Sequence, residues 1–158
     1  MTENVPTLET LYAAINRSDV EGILSLQADD VEWRGPLPFP DLSGTHRGHD
    51  GVRAYAERIH DAWEEFSVIP ERFFDLGDRV LVLTRERGRG RLSGIEVHSQ
   101  PTAHLWTLRD GVVVSFEVFW DREEGLEATG VRFPESRPAR RGRLLRASFH
   151  DSVRSAVP

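Results

Sequence analysis

The chain has 158 residues and a formal net charge of −6, with no cysteine and no lysine, so all 20 basic residues are arginine. The missing side chains exclude thiol-ligated metals, disulfides, cysteine nucleophiles, Schiff-base lysines and Walker-type lysine sites. Residues 1–131 carry 13 Arg against 24 Asp and Glu, whereas residues 132–158 carry 7 Arg against 2 acids.

A length of this order predicts one domain. An acidic body is a poor match for phosphate, so no nucleic-acid partner is expected. No apolar run approaches the roughly 18 residues that span a bilayer, and the opening residues carry no signal-peptide pattern. No membrane partner and a cytoplasmic location are therefore expected.

Leu8, Leu11, Tyr12 and Ile15 fall at i, i+3, i+4 and i+7, one face of a helix. Ser18-Asp19-Val20-Glu21 reads as a capping box, followed by a second helix through Val20, Ile23, Leu24 and Gln27. Val31 to Arg34 alternates as a short strand. Gly35 to Gly48, with Pro36, Pro38 and Pro40, reads as a long loop of the kind that forms lids or surface excursions. From Asp50 a third helix presents Val52, Tyr55, Ala56, Ile59, Ala62 and Trp63 on one side and charges on the other.

Phe66 to Leu76 is a strand whose Pro70 predicts an edge or a bulge. Asp75 to Asp78 is a turn, Arg79 to Arg87 a strand, and Gly88 to Arg91 a flexible basic connection into a strand from Gly94. Arg109-Asp110-Gly111 is a tight hairpin turn, because Asp before Gly supplies the positive-φ residues it requires. Val112 to Trp120 follows as a central strand. Asp121 then caps a last helix, with Glu124 as reverse cap and Gly130 as its stop.

Helices gathered before a meander of strands indicate an α+β class: a curved antiparallel sheet packed on three N-terminal helices, with a short helix after the last strand. Residues 1–131 form the domain, and the Arg-rich tail 132–158 is expected to be poorly ordered. Within that tail Leu144, Leu145 and Phe149 suggest a short amphipathic turn.

The segments GHDGVRAYAERIHDAW (48–63), HLWTLRDGVVVSFEVFWD (104–121) and REEGLEATG (122–130) resemble the SnoaL-like branch of the nuclear-transport-factor-2-like superfamily. The resemblance covers about residues 5 to 131 and implies a cone of sheet and helices around a cavity. The superfamily includes isomerases, dehydratases, epoxide hydrolases, polyketide cyclases and non-enzymatic binders, and fold alone does not choose between them.

Alternate residues of each strand would line such a cavity. In the last strand the even row, Val112 to Trp120, is apolar and should face the helices, with Glu117 facing outward. The resemblance places the acid of cyclases and epoxide hydrolases at Val118, which cannot transfer a proton. Asp121 is an alternative acid whose simpler reading is the helix cap. His104 falls near a catalytic His of the cyclases, and imidazole suits general-base work; an ordinary hydrogen-bonded strand histidine is the plainer reading. Pro101 breaks the preceding strand and is expected to switch its facing.

Glu86 shares a face with Val80, Val82 and Thr84, and in the cavity it would be a usable acid or base; otherwise it pairs with Arg85 or Arg87 at the surface. The resemblance sets Glu86 at an Arg of the epoxide hydrolases and Gly88 at their acid, so their Asp-Arg-Asp set is absent. Trp33, Tyr55, Ile59, Trp106, Phe116 and Val118 are pocket-wall candidates and Phe39 a lid residue, although large rings also serve plain cores. His46 and His49 lack a third ligand, so no metal is expected, and no glycine fingerprint marks a cofactor. Two functions remain open: a cofactor-free acid/base enzyme on a small hydrophobic molecule, or a non-catalytic binding or assembly module. A homodimer through the outer sheet face is expected from the apolar Val113 and Phe119.

Overall fold

A computed structural model describes residues 3–36, 39–40 and 42–133. The expected order in residues 134–158, the turn at Leu144, Leu145 and Phe149, and Pro38 lie outside the described residues.

Two helices, α1 (Asn4–Asn16) and α2 (Val20–Leu24), lead into β1 (Gln27–Gly35) and β2 (Gly44–Arg47), and α3 (Gly48–Ala62) follows. Five strands complete the sheet: β3 (Trp63–Asp75), β4 (Arg79–Gly90), β5 (Glu96–His98), β6 (Thr102–Arg109) and β7 (Val112–Phe119), and α4 (Arg122–Thr129) ends the fold. The sheet order is β2-β1-β7-β6-β4-β3, with β5 also paired to β4. The α+β class holds, but the sheet is mixed and not wholly antiparallel, because β1 runs parallel to β7. The sheet is curved and does not close.

Most local expectations hold because their causes are local. Leu8, Leu11 and Tyr12 bury one face of α1. Asp110 and Gly111 take φ of 53° and 77° at the hairpin. Asp121 caps α4 by accepting from the Glu123 amide, and Gly130 ends it at φ 74°. Pro70 sits in β3, at the sheet's edge, beside a register shift.

Several boundaries differ. Asp19, not Ser18, caps α2, accepting from the Gly22 amide at 3.0 Å, while Ser18 takes a left-handed φ of 56°. Gln27 leaves the helix and opens β1. The supposed long loop holds β2, paired to β1 from Glu32–Arg47 to Gly35–Gly44. Gly88 to Gly90 is strand, paired to both β3 and β5. Gly88 carries no side chain where an added Cβ would stand 3.2 Å from the Trp63 ring, so the glycine lets that indole cross the strand.

The facing of β7 changes at a bulge. Thr107 pairs with Ser115 and Leu108 with Val113, which leaves Val114 over. Phe116, Val118 and Trp120 therefore face the cavity as expected, whereas Val113 is wholly buried in the inner core and Val112 is exposed. Pro101 marks a similar switch: Val97 points inward before it, and His104 and Trp106 after it.

Val80 to Thr84 of β4 are fully buried because both faces are covered. Val80 and Val82 join the helices in the inner core; Leu81, Leu83 and Ala103 pack under Leu126 of α4. The middle of the outer face, expected to be a dimer surface, is thus covered by the chain's own α4. Val131 and Phe133 extend this cover, with the Phe133 and Phe74 rings 5.9 Å apart and Arg72 over both. Among the described residues no helix is long and apolar enough to cross a membrane.

Candidate functional site

The inner face of the sheet and the helices enclose a cavity of about 570 Å³. Trp33, Tyr55 and Phe116 wall its deep part; the Trp33 ring lies 4.7 Å from Phe116 and 5.3 Å from Tyr55. Ile59 and Val118 add apolar wall, and Phe39 packs on Trp120 at 4.8 Å on the side where β1 leaves the sheet. Exposed Glu57, His60, Asp61, Glu65 and Arg91 stand on its rim, from α3, the start of β3 and the turn after β4. The deep part is thus lined by aromatic rings and aliphatic groups, which offer burial to apolar surface.

Glu86 and His104 meet on this wall. Parity along β4 carries Glu86 inward with Val82 and Thr84, and the register sets His104 opposite Val82 on one side and Val118 on the other. Glu86 reaches back along the sheet: its carboxylate accepts from His104 Nε2 at 3.0 Å and from Thr102 Oγ1 at 2.7 Å. Its side chain is 11% exposed and that of His104 is 6% exposed. No surface pair with Arg85 or Arg87 forms; Arg85 pairs with Glu71. The Glu86 backbone is fixed as well, exchanging hydrogen bonds with Ser99 at 2.8 Å through both its amide and its carbonyl.

Behind His104 lie groups that do not reach the cavity. His104 Nδ1 meets the Tyr12 hydroxyl at 2.7 Å, and the Trp106 indole N–H donates to that same oxygen at 2.8 Å. Trp106 is fully buried and stacks on Phe116 at 4.1 Å, so it backs the wall rather than forming it. Burial, opposed by the Trp106 hydrogen bond and aided by the Glu86 charge, holds the ionisation of Tyr12 well above the ordinary tyrosine range. Tyr55 is raised too, by burial and then by the Glu86 charge, so both phenols stay protonated donors.

Asp121 does not join this group. Its buried carboxylate spends itself on the α4 cap and is not part of the cavity wall. Sequence reasoning did not single out Tyr12, whose place in a helical apolar stripe reads as core. It did not single out Thr102 either, which shares the parity of His104 immediately after Pro101. Asn16, also on the cavity wall, clamps β3 by donating to the Val68 carbonyl and accepting from its amide. His46 and His49 each meet a backbone carbonyl, Leu42 and Gln27, and among the described residues no three metal-ligating side chains cluster.

A cone of helices and curved sheet around a cavity defines the nuclear-transport-factor-2-like class. Within it the chain belongs to the SnoaL-like domain family, whose model matches residues 8–116. It is similar to a nuclear-transport-factor-2-like protein of unknown function from Burkholderia pseudomallei, at 30% identity over 80% of this chain and 97% of that one, TM-score 0.70. TerC co-crystallised with polyporic acid is similar at 30% identity, 80% and 97% coverage and TM-score 0.69. A nuclear-transport-factor-2-like protein from Burkholderia xenovorans is similar at 32% identity, 80% and 95% coverage and TM-score 0.64. Among curated proteins none matches the chain.

Proposed function

We propose that the protein binds a small, ring-bearing hydrophobic metabolite and transfers a proton to or from it through Glu86. The observation that carries the proposal is a carboxylate on the wall of an apolar cavity, held by His104 Nε2 and Thr102 Oγ1 with lone pairs to spare. A carboxylate accepts about four hydrogen bonds, so two partners leave room for a substrate C–H or O–H. Both nitrogens of His104 are engaged, so His104 supports Glu86 and Glu86 is the group that meets the substrate. Tyr55, a phenol on the same wall within range of the Glu86 charge, is the proposed donor to a substrate oxygen. This division of work moves the acid from the strand position held by Val118 to β4.

The chemistry is proton transfer by side chains alone and calls for no cofactor; isomerisation, cyclisation, dehydration and hydrolysis all fit it. The similarity to TerC, co-crystallised with polyporic acid, supports a cyclic organic ligand. A non-catalytic binding module is the second reading, favoured by the apolar wall at Val118 beside His104. Convergence of two ionisable groups at 3.0 Å in one cavity favours the first. A homodimer belongs to the proposal through the half-buried outer residues beside α4, such as Leu105 and Phe119; a monomer by light scattering at micromolar concentration contradicts it. The test of function is a crystal soaked with a library of ring-bearing hydrophobic metabolites. Density with an oxygen or acidic C–H within about 3.2 Å of Glu86 supports the reading. Ligand seated only against Trp33, Tyr55 and Phe116 supports the binding module.

A further inference from the structure

We infer that Tyr12, which touches no ligand, is a positioning residue that fixes the tautomer of His104 and so keeps a neutral imidazole N–H aimed at Glu86. Hydrogen-bond bookkeeping carries the inference. Indole nitrogen only donates, so the Tyr12 oxygen accepts from Trp106 at 2.8 Å. The phenol has one hydrogen, and His104 Nδ1 stands 2.7 Å away to receive it. Nδ1 is therefore the unprotonated nitrogen, and the ring hydrogen sits on Nε2, from which it is donated to Glu86 Oε1 at 3.0 Å.

The other side of the carboxylate obeys the same polarity. Thr102 Oγ1 stands 2.7 Å from Glu86 Oε2, 2.8 Å from Thr84 Oγ1 and 3.1 Å from the Thr84 carbonyl; with its hydrogen given to the carboxylate at the shortest of these contacts, its oxygen is left to accept from the Thr84 hydroxyl. Tyr12 is 2% exposed, His104 5%, and Trp106, Thr84 and Thr102 are fully buried, so water does not repair a reversed link. Turning the phenol or the imidazole round strands a buried N–H or O–H. On the His104 side every hydrogen thus points toward Glu86, an arrangement suited to a charged carboxylate. The consequence for catalysis rests on the reading of Glu86 as the reacting group; the tautomer itself does not.

The test is a long-range ¹H–¹⁵N spectrum of the histidine rings in the full chain near neutral pH, with His104 assigned by loss of its signals in His104→Asn. The expected result is a single neutral Nε2–H tautomer in the wild type, retained in Glu86→Gln because the phenol still occupies Nδ1. In Tyr12→Phe/Glu86→Gln the single tautomer should give way to a mixture. An Nδ1–H form or an imidazolium in the wild type overturns the inference, as does a tautomer flip in Glu86→Gln. So does a double variant that matches Glu86→Gln. No ligand or turnover enters the readout, so a failed search for substrate leaves this result standing, and the reverse also holds.

Discussion

Tyr12→Phe removes one oxygen and leaves the ring that fills the core. That oxygen joins two buried partners, Trp106 Nε1 at 2.8 Å and His104 Nδ1 at 2.7 Å. Its loss strands the indole N–H, at about 1–3 kcal/mol, and the imidazole Nδ1, at about 1 kcal/mol. His104 does not recover by exchanging tautomers, since that would turn an unprotonated Nε2 toward the Glu86 carboxylate 3.0 Å away. The expected loss is about 2–4 kcal/mol, a sizeable share of the 5–15 kcal/mol typical of a folded domain. With a urea slope of about 2 kcal/mol/M, the midpoint should fall by about 1–2 M at unchanged slope. Circular dichroism across a urea series on both proteins measures it. A midpoint shift corresponding to less than about 0.5 kcal/mol would show that the hydroxyl is not the shared partner described, and would refute the reasoning.

Other predictions separate scaffold from site. Asp121→Ala should cost about 1 kcal/mol by removing the α4 cap, and should leave ligand affinity unchanged by calorimetry, because the carboxylate lies off the cavity wall. Glu71 meets Arg122 at 2.6 Å and Arg85 at 3.1 Å. Burial alone would raise its pKa, but the bonds and charges of Arg122 and Arg85 outweigh it and leave it below the ordinary value of 4.5. A lowered folded-state pKa gives stability that is present above the unfolded value and lost as pH falls through the folded one. The stability gap between the wild type and Glu71→Gln should therefore be full at neutral pH and shrink below about pH 4.5. A gap that widens on acidification contradicts that sign.

What was legible in the sequence was what neighbouring residues decide. Asp110-Gly111, the Asp121 cap and the Gly130 stop are local backbone chemistry, and each stands where the sequence put it. Strand parity placed Glu86 beside Val82 and Thr84, and Pro101 signalled a switch of facing without saying which face lines the cavity, so both halves of the Glu86–His104 pair stood among the candidates. Their contact was not, because it depends on the register of β4 against β6. The parallel pairing of β1 with β7 joins segments about eighty residues apart and leaves no local mark. The Val114 bulge reversed Val113 for the same reason: three consecutive valines give no sign of which residue is extra. Tyr12 was hidden by its own burial, since a tyrosine in an apolar stripe reads as core until its hydroxyl partners are known.

The central claim is that Glu86 moves a proton, and isotope exchange tests it most directly. Ring-bearing ketones and phenols that bind the protein are incubated with it in D₂O, and exchange at the acidic carbon is followed by NMR. The account predicts exchange above background with the wild type and a loss of at least about 100-fold in Glu86→Gln with binding retained, the scale of general acid–base catalysis. Equal exchange in both proteins, or bound ligands that never exchange with the wild type, would contradict it and leave a binding module.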